Sequence, residues 1–163
     1  MVNWYDAALE YERPTPALDG RWSALSTDWQ RELVALMLAH RDINNGGYLQ
    51  FLANHGRRVY EYAAQTLRAI GGQPMAGILD RCQSLVDKHF FCAGRTREEL
   101  AQLLPNQIFS RKGREIKSAG SALPKRVVPQ LRDLSYEFMA VADDIDRLAQ
   151  AHYRTMVAGA RRG

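Results

Sequence analysis

His40-Arg41-Asp42-Ile43-Asn44-Asn45-Gly46-Gly47-Tyr48-Leu49-Gln50-Phe51-Leu52-Ala53-Asn54-His55-Gly56 is the stretch on which the fold turns. Upstream of it, Trp29, Leu33, Leu36, Met37 and His40 recur at three- and four-residue steps, the apolar stripe of an amphipathic helix. Thr27 with Gln30 three residues on is a capping box, which places the helix start near Asp28. Asn44-Asn45-Gly46-Gly47 should end that helix, because Asn and Gly tolerate the left-handed backbone of a C-terminal cap. Tyr48–Asn54 then has room for about two helical turns, with Asn54-His55-Gly56 as its stop. Val59, Tyr60, Ala63, Leu67 and Ile70 mark a further helix over 57–70, closed by Gly71-Gly72.

Outward from this segment the same period continues. Trp4–Glu12 reads as a short helix, ended by Pro14 and Pro16. Pro74 opens a helix carrying Met75, Ile78, Leu79, Cys82, Leu85, Val86, His89 and Phe90 on one face, the clearest core pattern in the chain. Thr96-Arg97-Glu98-Glu99 is a second capping box for a helix over 98–104, limited by Pro105. The last third shows two stripes, Val127, Val128, Leu131, Leu134, Ser135 and Phe138, then Ile145, Leu148, Ala149, His152 and Met156. No segment alternates with period two, and no repeat stands out. The pattern specifies an all-α domain over 1–163, a single bundle of about six to eight helices with a mobile basic loop at 106–124.

The totals agree. A chain of 163 residues with 46% hydrophobic and 25% charged residues can bury its own core. The net charge is +4, yet 110–126 alone carries +5, from Arg111, Lys112, Arg114, Lys117, Lys125 and Arg126 against Glu115. The basic character belongs to that segment and leaves the rest at −1. Two cysteines, Cys82 and Cys92, make no disulfide framework. With no basic-then-apolar leader at the N-terminus and no run near the roughly 18 apolar residues of a membrane span, the expectation is a cytoplasmic protein without a membrane partner.

Catalytic and metal motifs fail on their chemistry. His40-Arg41-Asp42 echoes a kinase catalytic loop, but the glycine-rich loop, strand lysine and Asp-Phe-Gly that such an Asp requires are missing. Cys82 and His89 share a face at a spacing of seven, about 10 Å along a helix, too far for one zinc ion. Asp143, Asp144 and Asp146 fit a helix start, where carboxylates oppose the dipole. The glycine pairs lack the residues of a phosphate loop. The reading is therefore of no metal, no cofactor and no catalytic set. Two surfaces remain. The amide-rich group Asn44, Asn45, Gly46, Gly47, Tyr48, Gln50, Asn54 and His55 exceeds what helix capping needs, so these amides should bond the backbone of the 44–56 turn and are candidate contact residues. The cationic set Arg111, Lys112, Arg114, Lys117, Lys125 and Arg126 is a candidate nucleic-acid contact, although it has no aromatic residue on which a base can stack.

The run Asn44-Asn45-Gly46-Gly47-Tyr48-Leu49-Gln50-Phe51, then Asn54, Gly56, Ala64, Leu67 and Ile70-Gly71, resembles the hallmark of a bacterial family of all-helical proteins of unknown function. Leu131-Arg132-Asp133-Leu134, Phe138, Asp143-Asp144-Ile145 and Tyr153 are similar to that family's closing helix pair. The resemblance spans about 27–92 and 127–156. It implies a helical domain, and in one member of that family an acidic surface that imitates DNA. Here 22 basic residues outnumber 18 acidic ones, and the best acidic group, Asp133, Glu137 and Asp143–Asp146, is small. The combined expectation is a non-catalytic, protein-binding and regulatory module. Direct nucleic-acid binding through 111–126 is the alternative, and an enzyme using 44–55, with Tyr48 and His55 moving protons, is a second one.

Overall fold

A computed structural model describes residues 3–12, 25, 27–91, 94–95, 97–104, 108–109, 115–116 and 123–160. Its helices are α1 (Trp4–Glu12), α2 (Asp28–Ala69), α3 (Gln73–Asp87), α4 (Arg97–Leu103), α5 (Val127–Val141) and α6 (Asp143–Ala160). Ile108–Phe109 and Glu115–Ile116 pair as two antiparallel strands, β1 and β2, of two residues each. The described elements are thus all helices apart from this small ladder. Of the cationic set, Arg111, Lys112, Arg114 and Lys117 lie outside the described residues, whereas Lys125 and Arg126 are exposed just ahead of α5.

The three helices expected over 28–70 follow one another without an intervening loop, in a run of 42 residues broken only by non-helical angles at Gly47 and Gly56. Five described helices are longer than seven residues and α4 has seven, slightly fewer substantial helices than the six to eight expected. The reason lies in two glycines. Gly47 (φ 81, ψ −179) and Gly56 (φ 74, ψ 177) adopt backbone angles that are essentially closed to residues with a Cβ, and each turns the chain sharply without unwinding the turns around it. Thus α2 consists of three segments, 28–46, 48–55 and 57–69. Its start is capped as expected, with the Thr27 N–H donating to Gln30 Oε1 at 3.2 Å.

Folding α2 back on itself lets it supply most of the core. Leu33 through Ala39, Ile43, Tyr48, Phe51, Leu52, Ala63 and Leu67 are buried from its three segments. They meet Met75, Leu79, Cys82 and Val86 of α3, Leu131, Leu134 and Phe138 of α5, and Ile145, Ala149 and Tyr153 of α6. Each large apolar side chain so buried contributes about 1.5–3 kcal/mol. The α3 stripe stops early: the helix ends at Asp87, so His89, expected on the core face, is exposed. Cys82 is buried, and burial pushes its thiol up to about 12, which leaves it a core residue with no reactive thiolate. Cys92 lies outside the described residues.

Candidate functional site

The two corners of α2 gather three of the buried polar side chains, Asp42, Gln83 and Ser135, into two knots. The first forms where the 48–55 segment folds back on the end of 28–46. Asp42 is 4% exposed, an unusual place for a carboxylate. Its Oδ2 accepts from Asn54 Nδ2 at 2.8 Å and from His55 Nε2 at 2.9 Å, and its Oδ1 accepts from Arg41 Nε at 3.0 Å. Arg41 reaches on to Glu12 of α1 at 3.1 Å. Burial alone would raise the Asp42 pKa. The bond and charge of His55, with the bonds from Asn54 and Arg41, more than offset it and hold the group at about 2. An ionised carboxylate only accepts, so His55 Nε2 carries the hydrogen of that bond.

The second knot sits under Gly47. The Tyr48 N–H donates to Ser135 Oγ at 3.0 Å, and the Ser135 hydroxyl donates to the Leu131 carbonyl at 2.7 Å, so α5 caps the corner. The fully buried Tyr48 hydroxyl donates to Gln83 Oε1 in α3. Gln83 Nε2 donates to Asp87 at 2.8 Å, and Asp87 accepts from Arg57 Nη1 at 2.8 Å. The Tyr48 ring also meets Phe51 and Tyr60 edge-on at 6.2 Å. A single chain of bonds therefore runs from the corner to the surface. Tyr48→Phe, which removes one buried hydroxyl and strands Gln83 Oε1, should cost about 1–2 kcal/mol in urea unfolding without changing the far-UV spectrum.

These knots place the sequence-derived candidates. Gly47, Tyr48, Asn54 and His55 come together as working parts of the corner. Asn44 and Asn45 do not: both are exposed, and neither side chain makes a hydrogen bond among the described residues. The expectation that the amides bond the backbone of the turn is corrected here. Among the described residues, Asn54 is the one amide of this group with a side-chain bond, and its acceptor is the Asp42 carboxylate. Gln50 lies half-buried over Gly46. Asp42, Gln83 and Ser135 were missed; a polar residue falling on an apolar stripe was the only sign, and Ser135 showed it.

A different surface is open. Asp80, Arg81, Ser84, Leu85 and Lys88 of α3 face Gln130, Asp133, Leu134 and Glu137 of α5 across a cleft of about 530 Å³. Arg81 and Glu137 bridge it at 2.7 Å. Asp80 pairs with Arg68 and accepts from the Tyr60 hydroxyl at 2.9 Å. Tyr136 of α5, 60% exposed, is not part of the cleft lining but lies one helical turn from Asp133, which is. Among the described residues, no three His, Cys, Asp or Glu side chains group as metal ligands, and no helix is long and apolar enough to cross a membrane.

Compared with known protein families, residues 23–156 match the model described as DMP19-like protein. The chain belongs to the DMP19-like family. The matched span takes in both glycine corners, both knots and the α3–α5 cleft, so these are features of the DMP19-like region, whereas α1 precedes it. No curated protein and no solved structure matches the chain.

Proposed function

We propose that this DMP19-like protein is a non-catalytic module that binds another protein, with the α3–α5 cleft and Tyr136 as its contact surface. One observation carries the proposal. The groups that an enzyme would need at 44–55 are already engaged internally: Tyr48 with Gln83, and His55 with Asp42. The cleft instead offers charged side chains of both signs around Leu85 and Leu134, and α5, which forms one of its walls, also exposes Tyr136; Tyr and Arg are enriched among protein–protein hot spots. The same pattern speaks against phosphate imitation. Among the described residues, Asp80, Asp87, Glu137 and Asp144 each hold an arginine, which takes these four carboxylates out of any phosphate-like array.

The full chain, immobilised, should retain a specific protein from cell extract. Tyr136→Ala combined with Asp133→Lys should lower that retention at least tenfold, a loss that rim substitutions elsewhere do not reproduce. Retention unchanged by the pair, or turnover of a substrate by the purified chain, would overturn the reading. The nucleic-acid alternative is read in parallel. Salt-dependent binding of duplex DNA that disappears when Arg111, Lys112 and Arg114 become Ala would assign the activity to the basic segment.

A further inference from the structure

Helix α1 stands outside the family-matched span, which begins at residue 23, yet its inner face is built into the core. Trp4, Ala7 and Ala8 are buried, while Asp6 and Glu10 face solvent. Its seat is made by α2 and α6 and is chemically specific. The Trp4 indole Nε1 donates to Asp146 Oδ1 at 3.0 Å, and the Trp4 backbone N–H donates to Gln150 Oε1 at 3.0 Å. His40 packs against the Trp4 and Tyr5 rings at 6.5 and 6.3 Å, Tyr11 meets Trp29 edge-on at 5.5 Å, and Arg41 holds Glu12 at 3.1 Å. The seat thus reads one helix: an N-terminal Trp whose ring reaches an acceptor, two small residues three and four positions on that let the backbones approach, and an acid at the far end.

We propose that α1 is a detachable latch over a helix-binding groove between the 28–46 segment of α2 and α6, and that a partner helix with this Trp-x-x-Ala-Ala pattern binds there by displacing it. The inference stands apart from the α3–α5 reading, because it uses other elements and its test does not touch the cleft. A helix of nine residues has little stability of its own, so α1 depends on the groove while the groove's walls belong to longer helices. Among the described residues, few backbone bonds tie it to other elements. Opening therefore uncovers an apolar trough without dismantling the bundle.

The probe is a fluorescein-labelled peptide of residues 1–13, titrated into the full-length chain and followed by anisotropy. Wild type, its groove filled, should bind weakly. Trp4→Ala should bind at least tenfold more tightly, and adding Asp146→Ala to it should return binding to the wild-type level or below. Equal binding by wild type and Trp4→Ala overturns the proposal. So does a loss of helicity in Trp4→Ala greater than the nine residues of α1 account for, since a latch leaves the rest of the bundle folded. Light scattering should give one peptide per single chain; binding confined to paired chains overturns the assignment to a partner helix. In wild type, hydrogen exchange should release 4–12 well before α2 and α6. Exchange of α1 only on global unfolding is the contrary result.

Discussion

Replacing Asp42 by Ala is expected to destabilise the chain by about 3–5 kcal/mol, the range for removing one partner of a buried ionic cluster. The mechanism is the loss of a shared acceptor. Asn54, His55 and Arg41 all end on this one carboxylate, and without it three donors in a nearly closed space are left to find water or remain unpaired. The second segment of α2 would lose its tether to the first, and Arg41 would keep Glu12 and the Met37 sulfur. Urea unfolding with an unchanged slope is the measurement, and a loss below about 1 kcal/mol would mean that the cluster is replaceable by solvent. The same carboxylate sets an acid limit. Its folded pKa lies below the 3.8 of the free group, so its contribution is fully present above pH 3.8 and is lost as pH falls towards 2. His40 acts earlier. Burial lowers its pKa despite Asp146 and Asp143 nearby, so the neutral ring is favoured, and stability present above 6.5 declines as pH falls through its folded value. Two separate acid steps should follow, and Asp42→Asn should remove the lower one alone.

The two corners were legible because their cause is local. Asn44-Asn45-Gly46-Gly47 and Asn54-His55-Gly56 interrupt a three-and-four rhythm with the residues that allow positive φ, and both Gly47 and Gly56 take it. What holds the corners was not legible, since Tyr48 meets Ser135 across 87 positions and Gln83 across 35. Periodicity records which face of a helix is apolar; it carries no information on which distant polar group arrives opposite it. The same limit explains the amides. Asn44 and Asn45 look like hydrogen-bonding stock in sequence, but at the outside of the bend they are exposed and water can serve them. At His89 the apolar rhythm ran two residues past the end of its helix, and a rhythm without a helix does not bury a side chain. Asp42 was hidden for a related reason: next to Arg41 it reads as a surface charge, and only the back-folding of 48–55 encloses it.

Gly47→Ala is expected to cost about as much as losing Asp42, roughly 3–5 kcal/mol, through a sum of smaller terms. The backbone at φ 81 and ψ −179 lies in a region essentially reserved for glycine, so holding Ala there carries about 1–3 kcal/mol of strain. An added Cβ would stand 3.1 Å from Ser135 Oγ, tighter than ordinary contact, and the serine cannot retreat freely while its hydroxyl donates to Leu131. If it does retreat, the Tyr48 N–H loses its bond to Ser135 Oγ, and a buried donor deprived of its acceptor costs about 1–3 kcal/mol. Ser135→Ala separates the two contributions: it removes the crowding and the acceptor together while leaving the dihedral strain. In the double variant Gly47→Ala/Ser135→Ala, the loss should therefore fall short of the sum of the single losses. Gly56→Ala is the control, with equal strain but only Leu100 Cδ1 at 3.7 Å beside the new methyl, and it should lose only the strain. If Gly47→Ala and Gly56→Ala cost the same, the serine contact adds nothing and the corner is held by its backbone angles alone.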